Sequence, residues 1–559
     1  MNNIAKFIAV GFLFFLSACS LTDLEGNLDN PNGVAIDQLN VGPLNNKIQA
    51  DCADFIAQAN VPSMELSRMT ALIGGETYAL AYQAQNHNDI WNRGYQDVLI
   101  SIETLLAKTD GTGFTPYSGT ARILKAYTLL TLVDLFGDVP YSQALKGASG
   151  PASFNPGVDA GRSIYDAAIV LLDEAIILLA TAPPAASFDL SRDIYYGKSR
   201  TKWTALANTL KLKAYMNLRL IDSTAGAKIA DLLTKDLIDT DAEEFTYKYG
   251  TVATPVRSRH PLYRQMYGNV PADVAGYINN QYMNICYKQK GVEDPRWRYY
   301  FYRQVGSIAQ ALDEEPESIS CLISPFPSHY PPDMAWCAFD PGFFGREHGN
   351  DDGIPPDGLA LTCFGVYPAG GRPDLNDGVA SFQSFAVSGQ GANGAGIEPI
   401  WMASFTEFMK AEYALSTGAD ATAFIASGIA KSVARVHAFG SALLNTTVPA
   451  NLLADQAAYQ AEVANRFAAG STDEKLNVYA KEYYIALWGN GIEAYNLYRR
   501  TQKPGIGDMQ PMRTATPGKY LYSLTYPSDF VNLNSSTDQK VATAVNKVFW
   551  DNNPDNLSF

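Results

Sequence analysis

Several short runs of this sequence carry residue types that do chemistry, and each has a competing local explanation. Asp313, Glu314 and Glu315 set three carboxyls side by side. Two carboxyls serve glycoside hydrolysis when they face each other across a cleft, about 5–9.5 Å apart. Chain neighbours ahead of Pro316 do not supply that geometry, so these acids read as a solvated loop. Asn350, Asp351, Asp352 and Gly353 offer oxygen ligands for Ca²⁺. No Glu follows at the twelfth position, and Asn, Asp and Gly are turn formers, so a turn is the preferred reading. Glu493 with Arg499 and Arg500 resembles a catalytic acid beside a clamp. Glu493 and Arg500 lie two turns apart on one helix face, which suits ion pairs joining this helix to an irregular lobe. Gly137-Asp138-Val139-Pro140-Tyr141 reads as a helix stop rather than a ligand loop, with Asp138 bonding backbone amides and Pro140 setting the exit.

The richer material for recognition is aromatic. Phe326, Tyr330, Trp336, Phe339, Phe343 and Phe344 crowd one loop-rich stretch. Some must fill a core, because aromatic rings bury large areas. The others would be platforms on which sugar C–H groups pack while hydroxyls seek Asn, Asp, Gln or Arg. Phe326, Tyr330 and Trp336 are therefore the expected ligand-binding residues. A second patch, Tyr82 to Trp91, offers Gln85, Asn86 and His87, with Trp91 read as core. No Gly-rich phosphate loop follows an expected strand, and neither HExxH nor G-x-S-x-G occurs. The expectation is no catalytic residue, no cofactor and no metal.

These side chains need elements to hold them. Up to about residue 235 the pattern is helical. Ile123, Ala126, Tyr127 and Leu130 share one face, ended by Gly137 and Pro140. Ile164, Ala168, Leu171, Leu172, Ala175 and Leu179 define a second helix, and Trp203, Ala207, Leu210, Ala214 and Leu218 a third. Segments around 47–60, 63–85 and 89–107 have the same character. Helix pairs joined by short turns, with Ala and Tyr at close-packing positions, predict a mainly α fold, a superhelix of tetratricopeptide-like hairpins. From 240 to 400 Pro, Gly, Asn and aromatics replace the period, which predicts an irregular loop-rich lobe packed against the array. Helical patterning returns at 401–440 and 473–500, and Val548–Asp551 is expected to close a last short helix.

The first residues predict the address. Phe7 to Leu16 is an apolar run of about 15 Å, half the thickness of a bilayer core. Lys6 precedes it and Ser17-Ala18-Cys19 follows, the layout of a secretory leader. Leu16-Ser17-Ala18-Cys19 resembles a bacterial lipobox, so 1–18 is expected to be removed and Cys19 to carry lipid. Residues 19–34 read as a lipidated flexible tether, and 35–559 as a single body: 35–239 and 401–500 mainly helical, 240–400 irregular. The 559-residue chain has a net charge of −15, which argues against nucleic acid and against attraction to anionic lipid heads. Membrane attachment would rest on lipid alone. With Cys19 lipidated, five cysteines remain, and Cys321–Cys337 is the preferred pair.

Five stretches in order resemble one family, the SusD/RagB nutrient-binding outer-membrane lipoproteins. They are VDLFGDVPYSQAL (133–145), DIYYGKSRTKWTALANTLKLKAYMNL (193–218), FGREHGNDDGIPPDG followed by GVYPAGGRPD, WGNGIEAYNLYRRTQKPG (488–505) and VFWDNN (548–553). The resemblance implies a helical superhelix against an irregular lobe, on the surface of a Bacteroidetes outer membrane. It implies a SusC-like TonB-dependent transporter as partner, a nutrient ligand, most often an oligosaccharide, and no catalysis. Peptide capture is the alternative within the family, and a surface glycoside hydrolase the alternative outside it. The motifs read as scaffold, so the resemblance transfers no ligand residue.

Overall fold

The computed structural model describes residues 40–71, 82–190, 192–254, 258–268, 276–314, 322, 325–326, 328, 330, 334–348, 360–376, 386–444, 448–505, 508, 520–541 and 546–553. The leader, the lipobox, the tether, Cys321 and the acidic run Asn350–Gly353 fall outside them.

The fold is mainly α. Helix α1 (Val41–Leu66) opens the body, capped by the Asn40 side chain. A short α turn and a π turn lead into α2 (Ile100–Thr109), then α3 (Thr115–Phe136), α4 (Gly161–Ala180) and α5 (Arg200–Leu218). Each packs on its predecessor, and α3 also meets α5. After the loop-rich segment, which holds α6 (Asn280–Tyr287), the array resumes with α7 (Ala403–Thr417), α8 (Thr422–Leu444), α9 (Gln456–Ala469), α10 (Thr472–Ala486) and α11 (Gly491–Thr501). Helix α9 fills the interval between the two stretches where the sequence pattern is helical. Its apolar face is only Tyr459, Val463 and Phe467, too sparse to register as a period.

Strands are short and pair antiparallel. They are β1 (Thr70–Ala71) with β3 (Tyr277–Ile278), β2 (Phe245–Lys248) with β8 (Ile397–Trp401), β4 (Phe301–Tyr302) with β7 (Cys363–Phe364), and β5 (Ala338–Phe339) with β6 (Phe343–Phe344). One continuous buried apolar cluster runs from Leu44 to Trp550 through helical and irregular segments alike. The helix expected over 63–85 is a correction: α1 stops at Leu66, Arg68 takes a left-handed φ of 62°, and β1 pairs across to β3.

The motif residues converge on one carboxylate. Asp134, fully buried on α3, accepts from Lys213 Nζ at 2.6 Å, Asn496 Nδ2 at 2.9 Å, Trp550 Nε1 at 3.1 Å and the Tyr165 hydroxyl. Lys213 also meets Glu493 at 3.2 Å. Burial alone would push Asp134 up, but the Lys213 ammonium and these donors outweigh it and hold it below the usual carboxylate range. Arg500 lies between both oxygens of Glu412 on α7, at 2.5 and 2.8 Å, and Arg499 donates to the Asp134 and Tyr522 carbonyls at 2.6 and 2.8 Å. The expectation that these arginines tie α11 to the irregular lobe is therefore corrected: they tie it to the helical array and to the chain's last segment. Val548–Asp551 is also corrected, being a turn and not a helix end, because Trp550 is drawn in to bond Asp134.

Gly491 shows why α11 needs a glycine at its start. A Cβ there would run into Met64 N and Asn60 O of α1. At the other helix stop, Gly137 takes φ 75°, and Asp138 accepts from Gly161 N at 2.8 Å, as the stop reading requires.

Candidate functional site

The irregular lobe is built to hold rings at its surface. The β5–β6 hairpin and the amino end of α6 brace the loop before β5. Asn280 Nδ2 donates to Trp336 O at 2.5 Å, Ala335 N to Gln281 Oε1 at 3.2 Å, and Gly345 N to Cys337 O at 3.0 Å. Cys337 is disulfide-bonded, its expected partner Cys321 lying outside the described residues. Cys52, Cys286 and Cys363 are buried free thiols. Trp336 rests half-buried against a small cluster of Val305, Ala311, Cys337, Phe344 and Ala360.

From Trp336 a ladder of edge-to-face rings leads outward. Tyr330 lies 5.1 Å from Trp336 at 71°, and Phe326 lies 6.0 Å from Tyr330 at 85°. Tyr330 is buried, Trp336 half-buried, and Phe326 is 48% exposed. Trp336 Nε1 is shielded from water and has no hydrogen-bond acceptor among the described residues. A buried indole N–H normally finds an acceptor; the Trp297 and Trp488 N–H groups in the core share the same deficit. Phe339 stacks on Phe343 at 4.7 Å, and Phe343 and Phe344 are fully buried; these three are core.

A second contact brings the 82–91 patch to this lobe. The Tyr82 hydroxyl and His348 Nε2 are hydrogen-bonded at 2.9 Å, with ring centroids 5.6 Å apart. Burial, with the Arg68 charge nearby, pushes His348 well below its ordinary range, so the imidazole stays neutral at neutral pH. Arg346 lies 5.2 Å over the Tyr277 ring.

Phe326, Tyr330 and Trp336 are thus brought together. Asn86 and His87 are not: no contact among the described residues joins them to the ladder. Asn86 is exposed on a single 3₁₀ turn. His87 is buried, its Nδ1 3.1 Å from Thr525 O and its ring edge against Phe136, and burial lowers it to about 4. It fastens the 525 segment and presents no ring to solvent. Trp91 is core, as expected. Sequence reading missed Tyr82, His348, Asn280 and Gln281. The first two sit in quoted stretches, but 266 positions separate them, and nothing local announces the pair.

Asp313 is exposed near the end of a short helix, Ile308–Glu314, with no facing carboxyl among the described residues. Among those residues no group of three His, Cys, Asp or Glu could hold a metal, and no helix is long and apolar enough to cross a membrane. What the arrangement offers chemically is ring faces, one unused N–H and flanking amides.

A SusD-like family model, described as starch-binding associating with outer membrane, matches residues 34–317. No curated protein matches the chain in sequence. Solved structures match its fold. The Bacteroidetes AC2a SusD-like protein gives a TM-score of 0.64 at 15% identity, over 92% of this chain and 100% of its own. A chitin-binding protein gives 0.61 at 17%, over 92% and 100%. A SusD homologue from Bacteroides fragilis gives 0.61 at 15%, over 92% and 99%.

Proposed function

Because the chain belongs to the SusD-like family, we propose that it is a lipid-anchored protein of the outer-membrane surface that binds an oligosaccharide and passes it to a SusC-like TonB-dependent transporter, without catalysis of its own. The leader 1–18 would be removed, Cys19 lipidated, 19–34 left as tether, and 35–559 folded as one body. The observation that carries the glycan reading is the Phe326–Tyr330–Trp336 ladder. Phe326 is exposed, Tyr330 buried and Trp336 half-buried, and the Trp336 indole N–H has no protein acceptor among the described residues. Apolar faces beside an unused donor match a sugar's C–H faces and hydroxyl oxygens. The family's description as starch-binding and the fold shared with a chitin-binding protein support the same class of ligand.

The test uses the purified body with maltoheptaose and chitohexaose. Saturable binding with both sugars recovered at full length is the expected outcome for at least one of them. Shortened products would replace the binder with a hydrolase, and failure to bind either would remove the glycan reading. In native membranes, lipid on Cys19 and co-purification of a large β-barrel in mild detergent are expected. A lipid-free protein with no barrel would overturn the anchor and the partner.

A further inference from the structure

The turn that ends α3 does more than stop a helix. The segment after Gly137 floors two adjoining depressions of about 360 Å³ and 280 Å³. Tyr95, Pro140, Ala144 and Leu145 line both, so the two form one groove. Its floor is fixed in advance. The Tyr95 hydroxyl donates to Pro140 O at 2.6 Å, and the Asp159 carboxylate accepts from Tyr141 N and Ser142 N at 2.7 and 2.8 Å. In one arm stands the half-buried Tyr141 ring, with Lys125 Nζ 5.7 Å from its centroid and Glu103 bonded to that ammonium at 2.6 Å. In the other, Phe154 is 60% exposed, beside the exposed polar side chains of Gln96 and Asp529.

We propose that this groove is a second glycan subsite, separate from the Trp336 ladder; it rests on the glycan reading above. Its chemistry is of the same kind: aromatic surface interleaved with amide and charged groups on a preset backbone. Its volumes lie at the low end for small-ligand pockets, and its exposed apolar side chains, Leu533 at the rim included, stand among polar ones. A folded protein partner would instead need a broad face of about 800 Å². The segment from Tyr82 to Asn92 runs from the irregular lobe to this groove, its start bonded to His348 and its end lining the groove.

Calorimetric titration of the full-length soluble body with maltoheptaose and chitohexaose tests this. The expected result is two sites for whichever sugar binds, one remaining in Tyr141→Ala and one in Trp336→Ala. Phe154→Ala, at an exposed position where folding is not at risk, should weaken the second site at least threefold. One site in the wild type, lost in Trp336→Ala and untouched by Tyr141→Ala and Phe154→Ala, would overturn the groove while leaving the glycan reading standing. No binding of either sugar would overturn both. A groove variant that loses binding of a tryptic peptide pool, with sugar stoichiometry unchanged, would assign the groove to polypeptide and overturn the proposal.

Discussion

Two regions of this molecule treat buried polarity in opposite ways. Around Asp134, four segments distant in sequence each bring a donor to one carboxylate, and the Lys213 ammonium is shared with Glu493. Around Trp336, a donor is shielded from water and meets no acceptor among the described residues. A buried charge without partners costs several kcal/mol, whereas one indole N–H costs only about 1–3 kcal/mol. Only the second kind of deficit can be left for a ligand to satisfy without endangering the fold. The contrast separates a frame that fixes shape from the surface proposed to receive the ligand.

The frame is where a single change should do most damage. Lys213 lies between two fully buried acids, Asp134 and Glu493. Lys213→Met keeps most of the volume but leaves those carboxylates facing each other without their shared ammonium. Loss of about 3–5 kcal/mol is expected in urea unfolding. Sugar affinity of the protein that remains folded should be unchanged. A loss under about 1 kcal/mol would mean that the network is not what holds these segments together.

The ladder should answer in the opposite sense. Trp336→Ala removes a half-buried ring and the unused N–H, so at least a tenfold loss of oligosaccharide affinity is expected, about 1.4 kcal/mol. The unfolding midpoint should move far less than in Lys213→Met. Full affinity in this variant would remove the ladder from the binding site.

The same contrast explains what could be read from the chain. Helix faces such as Ile164, Ala168, Leu171, Leu172, Ala175 and Leu179 repeat with the helical period; all but Leu171, which is half-buried at the edge of the face, are buried on α4. The punctuation at Gly137 and Asp138 was legible because φ and capping are local demands. The partners of Arg499 and Arg500 were misplaced because contacts between segments distant in sequence leave no periodic trace; Arg500 and Glu412 lie 88 positions apart. In the irregular lobe, residue type showed where rings cluster, but only the packing separates Phe326, Tyr330 and Trp336 from the core rings Phe339, Phe343 and Phe344. His87 misled for the same reason: a lone polar aromatic beside amides suggests a ligand group, while only tertiary packing shows it fastened to Thr525.

The comparison can be sharpened at a third place, where a buried acid has donors but no close cation. Glu398 on β8 accepts from Asn60 Nδ2 at 2.5 Å and Tyr249 OH at 3.0 Å, and burial raises it to about 7. His260 lies 4.0 Å away, but burial lowers it to about 3, so it brings no charge at neutral pH. Asp134 and Glu398 therefore bias stability in opposite directions. A carboxyl held low adds stability that is lost as acid reaches its folded pKa. One held high, like Glu398, adds stability that is complete below its unfolded value near 4.5 and is lost as pH rises through about 7. Glu398→Gln stays neutral throughout, and its amide can still accept from Asn60 and donate to the Tyr249 oxygen. The variant should lose that term, gaining about 2–3 kcal/mol over the wild type between pH 5 and pH 8. Thermal unfolding of both proteins at the two pH values reads the difference directly. Equal pH dependence in the two would mean that Glu398 ionises at its ordinary value, and that Asn60 and Tyr249 suffice to hold a buried charge without the cation Asp134 requires.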